Sequence, residues 1–350
     1  MRFGWPPVHV ASPASAALSV IMFHIVENDE HQRSLWPAYR EHSLPRGWRT
    51  VGFSGSREAC LARIATGEPL STTLPPVPTA KAPPPAPVGG DKSKATSPRS
   101  RAVAVPFPKP QAPTRLFVFP HAGSGASSYH FLARACKDDP IEINLVQYPG
   151  REMRIREEPC TDMAAMLDAL DEDLHELLLE RPFAFLGHSM GALVAFELTR
   201  RLSQASRPLP QHLFLSGRQA PQRPALNLPV DAMTDAAFLD AVGRRYNALP
   251  AELLSNPEIL SLLLPSLRAD FKLMAAHHYC VSEPLDIGLT LINGMDDPWV
   301  DRDSVNAWQA MTRQEIDRHW LPGGHFYLPG ATAIVREVVL RALRLQEEVR

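Results

Sequence analysis

The chain of 350 residues is more than twice the length of a usual single domain, so we expect about two domains with a substantial core. Its 45% hydrophobic and 21% charged residues exclude a disordered, collagen-like or coiled-coil protein. The formal net charge is −2 and no apolar run is long enough to span a membrane. These properties favour a cytoplasmic protein that has neither a nucleic-acid nor a membrane partner.

The N-terminal part has the signals of a small α+β domain over residues 20–70, whereas residues 1–19 form an extension with no assigned structure. A short amphipathic helix begins after Ser56. It is preceded by three extended segments separated by polar or proline-containing turns, at 20–26, 34–36 and 48–53. We therefore predict a three-stranded sheet with one helix.

Proline is unusually abundant, and most of the surplus lies in one segment. Twelve of the forty residues 74–113 are proline, accompanied by Ala, Lys, Ser and Thr. Such a composition cannot bury enough apolar surface to offset the entropy of ordering the chain. Residues 71–113 are therefore predicted to be a semi-stiff linker between two domains.

Strands and helices alternate in the second predicted domain, residues 114–350. Alternation of this kind predicts a mostly parallel sheet with helices on both faces. Residues 218–286 are instead a helical insertion with no strand of its own. The predicted strands are 115–119, 142–147, 183–186, 212–215, 289–292 and 316–321, and the helices are 126–135, 163–179, 192–202 and 333–345.

The segment Gly187-His188-Ser189-Met190-Gly191 has the pattern of a nucleophile elbow. A GxSxG match alone is weak, but this one follows a buried strand and opens a helix, as the elbow requires. The tight turn leaves no room for side chains at the glycines and raises the serine hydroxyl above the sheet. Ser189 is therefore the predicted nucleophile.

A serine hydroxyl needs a base to take its proton, and the base needs an acid to orient it. In the chain order of an α/β-hydrolase the histidine comes last, which favours His325 in the loop after the final predicted strand. Asp296 and Asp297 follow the strand at 289–292, and both cannot point at one imidazole. Extended geometry before Pro298 favours Asp297, with Asp296 as the alternative.

The oxyanion of an acyl-transfer reaction needs backbone N–H donors that are fixed in advance. Met190, the residue after the predicted nucleophile, supplies one candidate, and Ala122, in the Gly-rich turn after the first strand of this domain, supplies the other. A phosphate-binding loop is the rival interpretation of that turn, but no GK[ST] follows it. The four cysteines form no CxxC pair, so no metal site is predicted.

Residues 113–345 resemble the type II thioesterases of nonribosomal peptide and polyketide synthesis. The resemblance rests on FPHAGSGASSY, QYPGRE, GHSMGALVAFEL, LSGRQAP, GMDDP and LPGGHFYL. It implies an α/β-hydrolase fold in which the insertion at about 218–286 is a lid over an acyl channel. It also implies hydrolysis of acyl or aminoacyl thioesters on the phosphopantetheine arm of acyl or peptidyl carrier proteins, with no metal or bound cofactor.

Residues 20–65 resemble MbtH-like proteins, which are small partners of adenylation domains. The resemblance rests on the segments NDE, SLWP, PxGW and CLxxI, and the family's Trp-Thr-Asp ending is replaced by residues 65–70. It implies an adenylation-domain partner gripped by Trp36 and Trp48, with Ser34 and Leu35 beside them. The alternative is that either tryptophan belongs to the core.

The leading hypothesis is a fusion of an adenylation-domain activator with a trans-acting editing thioesterase. Two alternatives stay open from the sequence. One is a generalist serine esterase or lipase, and the other is a binding protein that acts only through its MbtH-like domain.

Overall fold

The computed structural model describes residues 23–28, 33–37, 48–55, 60, 63–64, 101–223, 228–246 and 256–345. The chain divides into two compact units, residues 1–93 and 94–350. Each unit has its own sheet.

The N-terminal unit contains a three-stranded antiparallel sheet. Strand β1 (Phe23–Asn28) lies between β2 (Arg33–Pro37) and β3 (Trp48–Gly55). Ile25 and Val51 from the sheet are buried against Cys60 and Ile64, two residues with helical backbone. The predicted sheet-plus-helix arrangement is confirmed.

The C-terminal unit is built on a seven-stranded sheet with the order β10-β9-β8-β7-β5-β6-β4. Strand β4 is antiparallel to β6, and the other strands are parallel to one another. The predicted α/β-hydrolase fold is confirmed. The strands are β4 (Val103–Ala104), β5 (Thr114–Phe119), β6 (Ile141–Val146), β7 (Phe183–His188), β8 (His212–Ser216), β9 (Gly288–Gly294) and β10 (Asp317–Leu321).

Helices cover both faces of this sheet, because successive side chains of a strand point to opposite faces. On β5, Phe117 and Phe119 belong to one buried cluster, whereas Leu116 and Val118 belong to the other. The first cluster includes residues of α2 (Met163–Glu180) and α3 (Met190–Gln204), and the second includes residues of α1 (His130–Ala135) and α7 (Thr332–Ala342).

The predicted linker is too long at its C-terminal end, because residues 101–113 belong to the second unit. Val103 and Ala104 form β4 and pair with β6. The Lys109 ammonium donates to the backbone carbonyls of Cys136 and Asp139, at 2.6 Å each. A two-residue strand within a proline-rich sequence gives no periodic signal, so composition alone could not predict it.

In its described part, the insertion between β8 and β9 consists of helices joined by irregular segments, with one isolated bridge at Leu285. Its two long helices are α4 (Asp235–Tyr246) and α5 (Pro257–Ala276), and a short α6 (Arg302–Asn306) follows β9. We refer to residues 218–286 as the lid. Within the described ranges, no helix combines the length and hydropathy that crossing a bilayer requires.

The close approach of α3 to the sheet generates a stability prediction. A Cβ atom added at Gly191 would overlap the carbonyl oxygen of Phe119 on β5. We expect Gly191→Ala to lower the free energy of unfolding by about 1–3 kcal/mol, the usual cost of overpacking. Gly243 in α4 is the control, because an added Cβ there meets nothing within 4 Å.

Helix propensity predicts that Gly243→Ala is neutral or stabilising, by up to about 1 kcal/mol. Urea unfolding of both variants would measure the difference. Equal stability of the two variants would contradict the close packing of α3 against β5.

Candidate active site

The candidate site lies at the edge of the sheet where five parallel strands end. Parallel strands present their carboxyl ends at one edge, so the loops that follow them meet there. The loop after β5 contains Ala122, β7 runs into Ser189, and β8 is followed by Arg218. The loops after β9 and β10 bring Asp297 and His325.

Ser189 occupies the strained turn between β7 and α3. Its φ is 55° and its ψ is −114°, a backbone conformation that is costly for a residue with a side chain. The N–H of Ser189 donates to the carbonyl of Ser216 on β8 at 2.8 Å. The flanking glycines are required, since a Cβ at Gly187 would overlap the carbonyl of Gly191. The turn is therefore held by the backbone of β8 on one side and by the first turn of α3 on the other.

A chain of two hydrogen bonds joins Ser189 to a buried carboxylate. The Oγ of Ser189 lies 3.0 Å from Nε2 of His325, and Nδ1 of His325 lies 2.7 Å from Oδ2 of Asp297. The side chains of His325 and Asp297 are 4% and 0% exposed. With Nδ1–H donating to the carboxylate, Nε2 is free to accept the proton of the hydroxyl.

The structure distinguishes between the two neighbouring aspartates. Asp297 contacts His325, and its second carboxylate oxygen accepts the N–H of Trp299 at 3.0 Å. Asp296 is exposed to solvent. Two other histidines have partners away from Ser189: His319 contacts Asp317, and His277 contacts Glu197.

Both predicted oxyanion donors border Ser189. Met190 is the first residue of α3, where a backbone N–H has no acceptor within the helix. Ala122 lines the same cavity as Ser189. The next N–H in that loop, from Gly123, donates to Oδ2 of Asp270 at 2.7 Å.

Asp270 connects this loop to the lid. It is a fully buried residue of α5 and accepts two hydrogen bonds of 2.7 Å each from the guanidinium of Arg151, which lies in the loop after β6. Burial lowers the pKa of Arg151, but the charge of Asp270 and its hydrogen bonds outweigh that effect, so the pKa of Arg151 is raised above its usual value. One lid carboxylate thus fixes both Arg151 and the Gly123 N–H beside Ala122.

Two further histidines near His325, His121 and His188, are uncharged at neutral pH. Burial lowers the pKa of His121 to about 3, and the nearby His325 and Arg151 act in the same direction. Burial also lowers the pKa of His188 well below its usual value, assisted by His325 and His121. The His188 ring lies 5.1 Å from the His325 ring. Neither neighbour therefore opposes a positive charge on His325 at neutral pH.

Two chambers meet at Ser189 and His325, and they differ in polarity. The apolar chamber has a volume of about 240 Å³ and its lid side is formed by Leu239, Val242, Leu260, Leu263, Leu264 and Leu267. The polar chamber has a volume of about 260 Å³ and is lined by Gly217, Arg218, Gln219, Arg245, Trp299 and Asp301. Tyr246, Phe271 and Met274 line both chambers.

Sequence reasoning did not single out Arg151, Asp270, His188 or Arg218 individually. Arg151 and Arg218 lie in the motifs QYPGRE and LSGRQAP, which offered a signal. Asp270 lies in a helix with no recognisable motif. No group of His, Cys, Asp and Glu side chains suitable for a metal ion occurs among the described residues.

Comparison with known protein families assigns both units. The model of the thioesterase domain matches residues 114–341, and the model of MbtH-like proteins matches residues 17–67. The chain belongs to the thioesterase family. The predicted thioester hydrolase is thereby confirmed, as is the resemblance of the N-terminal segment to MbtH-like proteins.

Known proteins are similar to about two thirds of this chain. The gramicidin S biosynthesis protein GrsT of Aneurinibacillus migulanus is 38% identical over 67% of this chain and 90% of its own length. Thioesterase PikA5 of Streptomyces venezuelae is 36% identical over 63% of this chain and 78% of its own. The structure of the type II thioesterase BorB from the borrelidin biosynthetic cluster is 28% identical, with a TM-score of 0.61 over 69% of this chain and 96% of BorB.

The contact between Asp270 and the oxyanion loop leads to a prediction about thioester hydrolysis. Asp270→Ala removes the acceptor of the Gly123 N–H, so we expect kcat to fall by about 10- to 100-fold with little change in KM. Asp270→Asn keeps an acceptor oxygen and should retain more of kcat, although both variants leave Arg151 buried without a counter-charge. The measurement is steady-state kinetics on a thioester, together with the affinity of a boronic acid that forms a tetrahedral adduct.

The matched control is Asp235→Ala, which removes a lid carboxylate that pairs with Arg268 and does not reach the oxyanion loop. A positioning role requires that the loss of kcat and the loss of boronic-acid affinity run in parallel. Wild-type kcat in both Asp270 variants would contradict the positioning role.

Proposed function

We propose that this thioesterase acts in trans to clear acyl or aminoacyl groups from the phosphopantetheine arms of carrier proteins in nonribosomal peptide or polyketide synthesis. The observation that carries the proposal is the Ser189–His325–Asp297 chain of hydrogen bonds at the mouth of an apolar chamber. The biosynthetic context is supported by the names of its relatives, a gramicidin S biosynthesis protein and a structure from a borrelidin cluster.

In the proposed reaction His325 Nε2 takes the proton of Ser189 as Oγ bonds to the thioester carbon. The oxyanion is held by the N–H groups of Met190 and Ala122. The C–S bond then breaks, and His325 returns the proton to the leaving thiolate, which leaves an acyl-Ser189 ester. A water molecule, deprotonated by His325, attacks the carbonyl carbon of this ester. The bond from that carbon to Oγ then breaks, His325 returns the proton to Oγ of Ser189, and the carboxylic acid is released. Asp297 holds the imidazole and stabilises its cationic form throughout.

No cofactor is needed for these steps. The triad supplies the nucleophile, the base and the charge stabilisation, and the phosphopantetheine arrives on the carrier protein as part of the substrate. The lid leucines of the apolar chamber suit the hydrocarbon of an acyl group, whose burial is favourable.

The test uses carrier proteins loaded with different acyl groups and analysed by mass spectrometry before and after exposure to the enzyme. We expect wild type to release thiol in a burst and Ser189→Ala to lose activity by about 10⁴-fold or more. Wild-type rates in Ser189→Ala would refute the mechanism. Higher rates on simple oxygen esters than on carrier-bound thioesters would instead indicate a generalist esterase.

A second proposal concerns the MbtH-like segment, which we infer to bind and activate an adenylation domain. It is supported by the family match over residues 17–67. In the three-stranded sheet, Trp36 pairs with His24 and Trp48 pairs with Asn28, so the two proposed contact residues lie on the outer strands. The structure describes only the backbone of the four proposed contact residues, Ser34, Leu35, Trp36 and Trp48.

Co-purification with an adenylation domain tests this second proposal. We expect the double variant Trp36→Ala, Trp48→Ala to lose most of the binding, because buried aromatic anchors dominate interface energies. A thermal unfolding curve of the same variant, compared with that of wild type, is the folding control. An undiminished pull-down would remove the proposed role of the two tryptophans.

A further inference from the structure

The polar chamber contains an arginine, Arg218, that forms no ion pair with any carboxylate in the described part of the chain. Arg218 follows β8 and lines the chamber together with Ser189. Its Nη1 lies 3.6 Å from the sulfur of Met274, and its Nε is buried without a hydrogen-bond partner. No carboxylate forms an ion pair with Arg218 among the residues that the structure describes. Its backbone carbonyl accepts the indole N–H of Trp308 at 3.0 Å, which fixes the position of the main chain.

Leaving the guanidinium of Arg218 without an acceptor costs free energy, and a bound ligand that accepts its hydrogen bonds would offset that cost. Moving a charged group out of water costs several kcal/mol, and buried charges in proteins are normally paired. Burial lowers the pKa of Arg218, and the nearby Arg245 acts in the same direction. A guanidinium has five donors and no acceptor, so a ligand that satisfies it must supply a hydrogen-bond acceptor such as a carbonyl or carboxylate oxygen.

The other charges of the chamber favour the same kind of ligand. Arg245 also lines it, with its guanidinium over the ring of Trp299 at 4.5 Å. The carboxylate of Asp301 accepts the N–H of Ser304 at 2.8 Å and caps α6. Asp301 thus caps a helix and does not pair with Arg218, so the surroundings of that guanidinium favour an acceptor or an anion over a cation.

We propose that Arg218 is a substrate-binding residue that holds an oxygen acceptor a few atoms from the scissile thioester, while the hydrocarbon of the acyl group occupies the apolar chamber. The acceptor has two possible sources in a thioester. It is either the amide carbonyl of the leaving thiol or a carboxylate on the acyl group. The inference rests on the proposed function, because it assumes that a thioester is bound at Ser189.

Four small thioesters distinguish the two sources. They are butyryl and succinyl thioesters, each made with ethanethiol, which has no amide, and with N-acetylcysteamine, which has one. If the thiol amide is the acceptor, Arg218→Met should lower kcat/KM for butyryl-N-acetylcysteamine by about 10- to 100-fold, the range for a hydrogen bond to a charged group, chiefly through KM. Hydrolysis of butyryl-ethanethiol should be unchanged.

If the acyl carboxylate is the acceptor, the loss should instead follow the succinyl group on either thiol. The proposal is overturned if Arg218→Met affects none of the four thioesters, or all four equally. Arg313→Met is the matched control, because Arg313 is an exposed arginine that pairs with Glu283.

Thermal unfolding provides an independent readout. Since Arg218→Met removes a half-buried guanidinium whose Nε has no hydrogen-bond partner among the described residues, we expect its Tm to equal or exceed that of wild type, whereas a structural arginine would give a clear fall in Tm. Binding of the four thioesters to Ser189→Ala, with and without Arg218→Met, makes the same comparison without turnover. An inactive wild type would therefore count against the proposed function, whereas unchanged binding would count against the role of Arg218.

Discussion

The 3.0 Å contact between Ser189 and His325 depends on strand direction more than on any side chain. Ser189 ends β7 and His325 follows β10, and 136 residues separate them in sequence. They meet because β7, β8, β9 and β10 are adjacent and parallel, so their carboxyl ends share one edge. An antiparallel partner at any of these positions would place its following loop at the opposite edge, and the chain of hydrogen bonds could not form.

The lid is part of this active-site edge. Asp270 on α5 reaches both Arg151 after β6 and the N–H of Gly123 after β5. Displacement of α5 would leave a carboxylate and a guanidinium buried without each other, which is strongly unfavourable. The same helix carries leucines that form the apolar chamber. The acyl-binding surface and the oxyanion loop are therefore linked through one residue, and their geometries are not independent.

Helices and strands could be predicted from local sequence patterns. The ion pairs and ring contacts of the site depend instead on the tertiary structure. The elbow at Ser189 could be predicted because strand, turn and helix adjoin in sequence. Arg151 and Asp270 are 119 residues apart in the sequence, so no local periodicity predicts their ion pair. The same holds for the His188 ring against that of His325, which is a consequence of how β7 and β10 are placed. Strand β4 was missed for the opposite reason, because two residues are too few to show a period.

Three features of the site reduce stability, and they are concentrated around the nucleophile. Ser189 has a strained backbone, His188 keeps a buried Nε2 without a partner, and Arg218 keeps a buried Nε in the same condition. Groups of this kind persist only where the surrounding structure determines their conformation. Here the surroundings are two buried apolar clusters on opposite faces of one sheet. The first cluster includes residues that also line the apolar chamber, among them Leu239, Val242 and Leu267. Variants that relieve a local cost can raise stability while removing function, which is the expected sign of a site shaped for its ligand.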